Sequence, residues 1–225
     1  MNTEKQTGRL IGALLLTTML LGLWNNFGLT NPILAGAGWL QNGAPMAGLF
    51  GASALLGIVT SSLTLTAAIF AWPILRQYAP ALALAFLLLS AIVCATSAVE
   101  QASFLSLRSL SLQYAGHPGR DPALFDILRG MAMANRNWIH YIDKLISGGS
   151  MLVLYVALFR SNLVPRFVSA FGMLAVPIQM TGISLELFLH DMPMVMLAPI
   201  ALMQLVLCLT LLANGFASPS LGRAA

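Results

Sequence analysis

Charge is what this sequence has least of. Only 8% of its 225 residues are Asp, Glu, Lys or Arg, against 58% hydrophobic residues. A soluble domain carries roughly 25% charged residues, so a water-soluble fold of this composition would lack the polar surface to cover itself. Cysteine is almost as scarce. Cys94 and Cys208 lie inside apolar runs, in no CxxC or metal-ligand spacing. That excludes a disulfide framework and makes both packing residues. The net charge of +4 comes without a basic stripe, which excludes a nucleic-acid surface. No serine sits in a nucleophile elbow, and no glycine-rich phosphate loop is present. Lys5 and Arg9 precede an apolar run, but the nearest small-residue pattern, Ala35-Gly36-Ala37, lies too far beyond it for a cleavage site. The segment reads as a retained first span rather than a cleaved signal.

What is present is a set of apolar runs of about 20 residues or more, the length of a transmembrane helix. Six spans are expected, at about 9–29, 46–74, 80–112, 137–160, 167–190 and 193–215. The fold class is therefore all-α, a polytopic six-helix membrane bundle forming a single domain over 1–225. A Gly/Pro-rich link at 30–45 joins spans one and two. Ser and Thr along span two read as helix-packing groups. Pro80 is a favoured first-turn residue, and the helix it starts can run to about Gln113, longer than a hydrocarbon core of about 30 Å requires. Asp121-Pro122 is a helix start. Residues 113–136 are thus expected as an external loop and helix, extending spans three and four beyond the membrane. The tail from Ala217 is polar.

Lys and Arg set the orientation. With six spans, the side of the termini holds Lys5, Arg9, Arg76, Arg160, Arg166 and Arg223; the other holds Arg120, Arg129 and Arg136, with Arg108 on the projecting helix. The positive-inside rule puts both termini in the cytoplasm. The expected location is a bacterial cytoplasmic membrane, with the lipid bilayer as the immediate partner and a membrane-protein partner or oligomer as a further one.

Three pieces resemble a family of bacterial six-span membrane proteins of unknown function. They are Arg9-Leu10-Ile11-Gly12, the basic turn Pro73-Ile74-Leu75-Arg76, and RSNLVPRFVSAFGML from Arg160 to Leu174. The last is the most specific, with an LVPR turn between spans four and five. The resemblance covers roughly 8–215 and implies a fold but no reaction. Members often carry an Arg and a Glu early in span three; this chain has Phe86-Leu87-Leu88-Leu89-Ser90 there and its acid later, at Glu100. Physically, Arg160 and Arg166 flank the LVPR turn where they can meet lipid head groups, and Pro165 ends one helix and starts the next.

The functional signal is a shared depth. Asn25 and Asn26 arrive near the outer end of span one, Glu100 near the outer end of span three, and His140, Tyr141, Asp143 and Lys144 in the first turns of span four. Glu186 and His190 close span five. Asn137, His140, Tyr141, Lys144, Ser147 and Gly148 share one helix face. Intramembrane ionisable groups usually face the bundle interior with a partner, and Glu100 or Glu186 is the expected partner of Lys144. An ion pair that only fixes register is one reading of the cluster. A polar pocket open to the outside is the other. His140 with Asp143 and Glu186 with His190 have spacings a two-helix metal site uses, but Lys144 beside them argues against a cation. Bis-histidine haem through His140 and His190 is disfavoured by their interfacial position. No metal or cofactor is assigned. The leading function is an integral membrane binding or accessory protein with an outward-facing polar pocket. The second is a membrane enzyme acting on a lipid or isoprenoid head group, with Glu100 or Glu186 as acid/base. The third is a small transporter, for which Pro177 and Pro199, read as interruptions of spans five and six, would be the broken helices.

Overall fold

A computed structural model describes residues 3–36, 38–117, 119 and 121–217. Ala37, Pro118, Arg120 and the tail beyond Ala217 lie outside the described residues, and with them part of the expected external loop. The described chain is all-α, with no strand. Its elements are α1 (Thr3–Trp24), a π-helical segment (Asn25–Thr30), α2 (Asn31–Leu34), α3 (Trp39–Asn42), α4 (Ala47–Leu75), α5 (Pro80–Gly116), α6 (Pro122–Ser161), α7 (Arg166–Leu187), a 3-10 turn (Met194–Leu197) and α8 (Ala198–Asn214). Six stretches are long and apolar enough to cross a membrane: Thr3–Leu34, Ala47–Leu75, Pro80–Gly116, Pro122–Ser161, Arg166–Leu187 and Met194–Asn214. At 1.5 Å per residue, α5 and α6 are roughly 55 and 60 Å long, nearly twice the hydrocarbon thickness of about 30 Å.

The chain divides into two compact units whose boundaries fall inside helices. The first comprises residues 1–18, 63–93 and 144–225. Its core takes Ile11 and Leu15 from α1, Ala67, Ala68 and Ala71 from α4, Phe86 from α5, Leu154, Tyr155 and Leu158 from α6, Val168 and Val176 from α7, and Leu207, Cys208 and Leu211 from α8. Small residues let these helices approach, since lipid offers no hydrophobic drive between them. Gly172 is where this matters most: a Cβ there would run into the ring of the fully buried Tyr155. Within the same unit Ser90 and Ser150 share a hydrogen bond between α5 and α6. A crevice between α1, α4, α5, α6 and α8 is lined only by apolar side chains, including Ile11, Phe86, Leu158 and Phe216.

The turn at 162–165 belongs to this unit. Asn162 adopts φ 54° and ends α6. Leu163 and Val164 are buried, and Pro165 caps α7. Arg166 donates to the Asn162 side chain at 2.7 Å and lies 5.6 Å from the Phe159 ring. Arg9 donates to the Ala213 carbonyl at 3.0 Å, meeting an orphan acceptor at the end of α8. Two prolines need correction. Helix α7 runs through Pro177, and Pro199 lies in the first turn of α8 rather than interrupting it, where its missing N–H has no helical acceptor to lose.

The second unit comprises residues 19–62 and 94–143. Its core is Ile33, Trp39, Leu40, Phe50, Phe104 and Leu107, with Tyr114, Phe125, Ala132 and Met133 packed against it. The segment at 30–45, expected as a link, supplies half of that core. Gly36 and Gly38, at φ 62° and 89°, lie between two short helices whose residues Ile33, Trp39 and Leu40 turn inward. Asn42 secures them by donating to the Ala35 and Ile33 carbonyls at 2.6 and 3.2 Å. Ser111 donates to the Leu40 carbonyl at 2.8 Å.

Candidate functional site

The second unit holds most of the expected polar cluster. Along its part of α5 and α6, polar side chains meet in antiparallel order. Thr96 donates to Asp143 at 2.5 Å, Glu100 and His140 share a 2.6 Å hydrogen bond, and Asn135 donates to Ser103 at 3.2 Å. The positions advance by four and three residues on α5 and retreat by three and five on α6, so the seam runs along the contact between the two antiparallel helices. Asp143 is 2% exposed and Glu100 7%. His140 is the open member, with 30% of its side chain exposed. The ring Nδ1 faces the Glu100 Oε1, so the two groups share one proton between them. A carboxylate that orients an imidazole in this way supports ligand recognition and proton transfer alike.

Nearby groups extend the seam. Tyr141 is half-buried, its ring edge-on to Trp138 and His140 at 6.3 and 5.9 Å. Gln101 is buried against Gly57 of α4, where a Cβ would stand 2.6 Å from the amide. Asn25 and Asn26 open the π-helical segment, a distortion frequent at functional sites. The Asn25 Oδ1 is buried without a hydrogen-bond partner, whereas Asn26 is exposed. Trp24 and Phe27 beside them are exposed aromatics, the residue types that populate membrane interfaces.

The remaining expected residues lie in the first unit. Lys144 is half-buried, one position after Asp143 on α6. Glu186 accepts the Met192 backbone N–H at 3.0 Å, which ties the end of α7 to the following turn. His190 is exposed in that turn, next to Leu189 at φ 62°. Among the described residues no three His, Cys, Asp or Glu side chains converge.

A family model described as a domain of unknown function, DUF4386, matches residues 10–215. The chain belongs to the DUF4386 family. That match accords with the extent of roughly 8–215 expected from the motifs. No curated protein and no solved structure matches. For this DUF4386 member the chemistry therefore rests on the side chains. The sequence reading missed Thr96, Ser103 and Asn135 as partners, and did not pair Glu100 with His140. Part of the signal was available in the spacing: 96, 100 and 103 recur at helical period on α5, as do 140 and 143 on α6.

Proposed function

We propose that this integral membrane protein is a binding or accessory protein. Its ligand site is the acid–histidine seam of Thr96, Glu100, His140 and Asp143, open to the outer face of a bacterial cytoplasmic membrane. The termini are on the cytoplasmic side, and residues 113–136 project from the membrane. The excess length of α5 and α6 supports that projection, and the Lys/Arg balance supports the orientation. The observation that carries the site is the Glu100–His140 hydrogen bond at 2.6 Å: a buried carboxylate orienting a part-exposed imidazole inside an apolar helix pair. Intramembrane ionisable groups of this kind mark ligand or proton pathways. The ligand class this suits is a small molecule or lipid head group that offers hydrogen-bonding groups to the open side of the seam.

An apolar carbodiimide tests the site, because it modifies protonated carboxyl groups that a small molecule can reach from the membrane. Intact-mass and peptide analysis of the folded protein in uncharged detergent should show one adduct, on Glu100, lost in Glu100→Gln. If neither Glu100 nor Asp143 reacts until the protein is denatured, the seam is sealed and only structural. The same hydrogen bond favours a second reading, an enzyme acting on a lipid or isoprenoid head group with His140 as general base. Head-group release from a lipid extract that disappears in His140→Gln would select that reading.

A further inference from the structure

Among the described residues of the second unit, two arginines outside this seam have no acidic partner. Arg108 on α5 and Arg136 on α6 both belong to the second unit, and each is only half-exposed. In each, Nε is buried from water and has no hydrogen-bond acceptor among the described residues. Among the described residues, Arg129 is the arginine with a carboxylate partner, Asp126 at 3.5 Å. Arg136 spends one terminal nitrogen on the Asn137 side chain at 3.3 Å. Its guanidinium carbon stands 5.9 Å from the centre of the Phe104 ring. Arg108 is one turn along α5 from Phe104. Its terminal nitrogen reaches to 3.9 Å from the Cβ position of Gly51, and Gly51 follows Phe50. The Phe50 and Phe104 rings are 4.7 Å apart. Both guanidinium groups thus lie beside one aromatic pair.

A guanidinium stays charged throughout the accessible pH range and presents five donors in a planar fork. Shutting its Nε–H away from water without an acceptor is costly. Ring contacts neutralise neither charge nor donors. Among the described residues neither arginine has a counter-ion, and their terminal nitrogens are the donors that an outside anion with several acceptor oxygens can reach. Phosphate fits best, because its oxygens match the fork bidentately. The position fits a head group too: span three is expected to end near 112 and span four to start near 137, so both arginines stand at the level of the lipid phosphates.

We propose that Arg108 and Arg136 together bind one phosphate group, as the phosphodiester of an anionic lipid or as a free phosphate. The site does not depend on the acid–histidine seam and is tested without it. The full chain in uncharged detergent is titrated with dioctanoyl phosphatidylglycerol, with inorganic phosphate, and with dioctanoyl phosphatidylcholine as the zwitterionic control. Native mass spectrometry and thermal unfolding read the binding. One phosphatidylglycerol or one phosphate should bind in preference to phosphatidylcholine. Lipid binding without phosphate binding makes it a head-group site, and the reverse makes it a free-anion site. Arg108→Gln and Arg136→Gln should each weaken binding by about tenfold, the scale of a lost charge-assisted fork. Arg129→Gln, which alters an exposed pair, should leave it unchanged. If a Gln variant does not fold, Arg136→Lys carries the test: it keeps the charge, loses the fork and should bind more weakly. Equal affinity for the zwitterionic lipid, undiminished binding in folded Arg108 and Arg136 variants, or an equal loss in Arg129→Gln would overturn the proposal.

Discussion

Replacing Glu100 and His140 by Leu, singly and together, measures what the seam is worth. The two groups meet at 2.6 Å, with side-chain exposures of 9% for Glu100 and 30% for His140. Polar pairs between membrane helices average about 0.6 kcal/mol and reach about 1.7. A charge-assisted bond is roughly twice as strong as a neutral one, which moves this pair toward the upper end. Solvent at the open edge of His140 screens part of that gain. The expected coupling is therefore about 1–1.5 kcal/mol. For a chain of this size that corresponds to about 2–6 °C in melting temperature. Each single variant leaves a polar group facing an apolar replacement, and the double variant removes both. The double should accordingly lose less than the two singles added together, by the coupling. The assay is unfolding in mixed detergent micelles, followed by tryptophan fluorescence and by the loss of monodisperse protein. Losses that add to within about 0.3–0.5 kcal/mol would mean that the two residues do not interact, and the pair at the centre of the proposed site would be gone.

Two further expectations rest on other parts of the chain. Gly172→Ala should destabilise by about 1–3 kcal/mol, the usual cost of overpacking, because its Cβ meets the Tyr155 ring; Gly57→Ala, which meets the movable end of Gln101, should cost less in the same micelle titration. In a variant lacking Cys94 and Cys208, a cysteine at Gly119 should react with an impermeant maleimide added to spheroplasts, and one at Ser220 only after permeabilisation. Labelling of both from the same side would rule out the six-span count or the orientation.

The six helices were legible because composition decides them. With so few charges, every run of about 20 apolar residues has to be a span, and proline placement at 80, 122 and 165 marked three of the helix starts. The segment at 30–45 was misjudged for the opposite reason. Its Gly and Pro content looked like a linker, yet Ile33, Trp39 and Leu40 are among the most buried residues of the second unit. Punctuation by Gly and Pro signals where a helix stops; it does not signal that the chain between stops is solvated. The π-helical segment at Asn25 carried no sequence mark at all.

Site residues show the same division. Glu100, His140 and Asp143 stood out as individuals because ionisable groups are expensive in lipid, and the structure sets two of them, Glu100 and His140, against each other. Their pairing did not stand out, because it depends on the register between α5 and α6, which no single helix encodes. Charge arithmetic pointed only to Lys144 as the partner of an acid; register also brings His140 and Thr96 into hydrogen-bond reach of the two buried carboxylates. The polar residues at 96, 100 and 103 fit those at 143, 140 and 135 in one antiparallel alignment. A slip of α6 by a single residue would turn that face by about 100° and separate every pair. The seam therefore specifies the alignment of these two helices as strongly as it suggests a site, and the same few hydrogen bonds are the reason both roles fall on the same side chains.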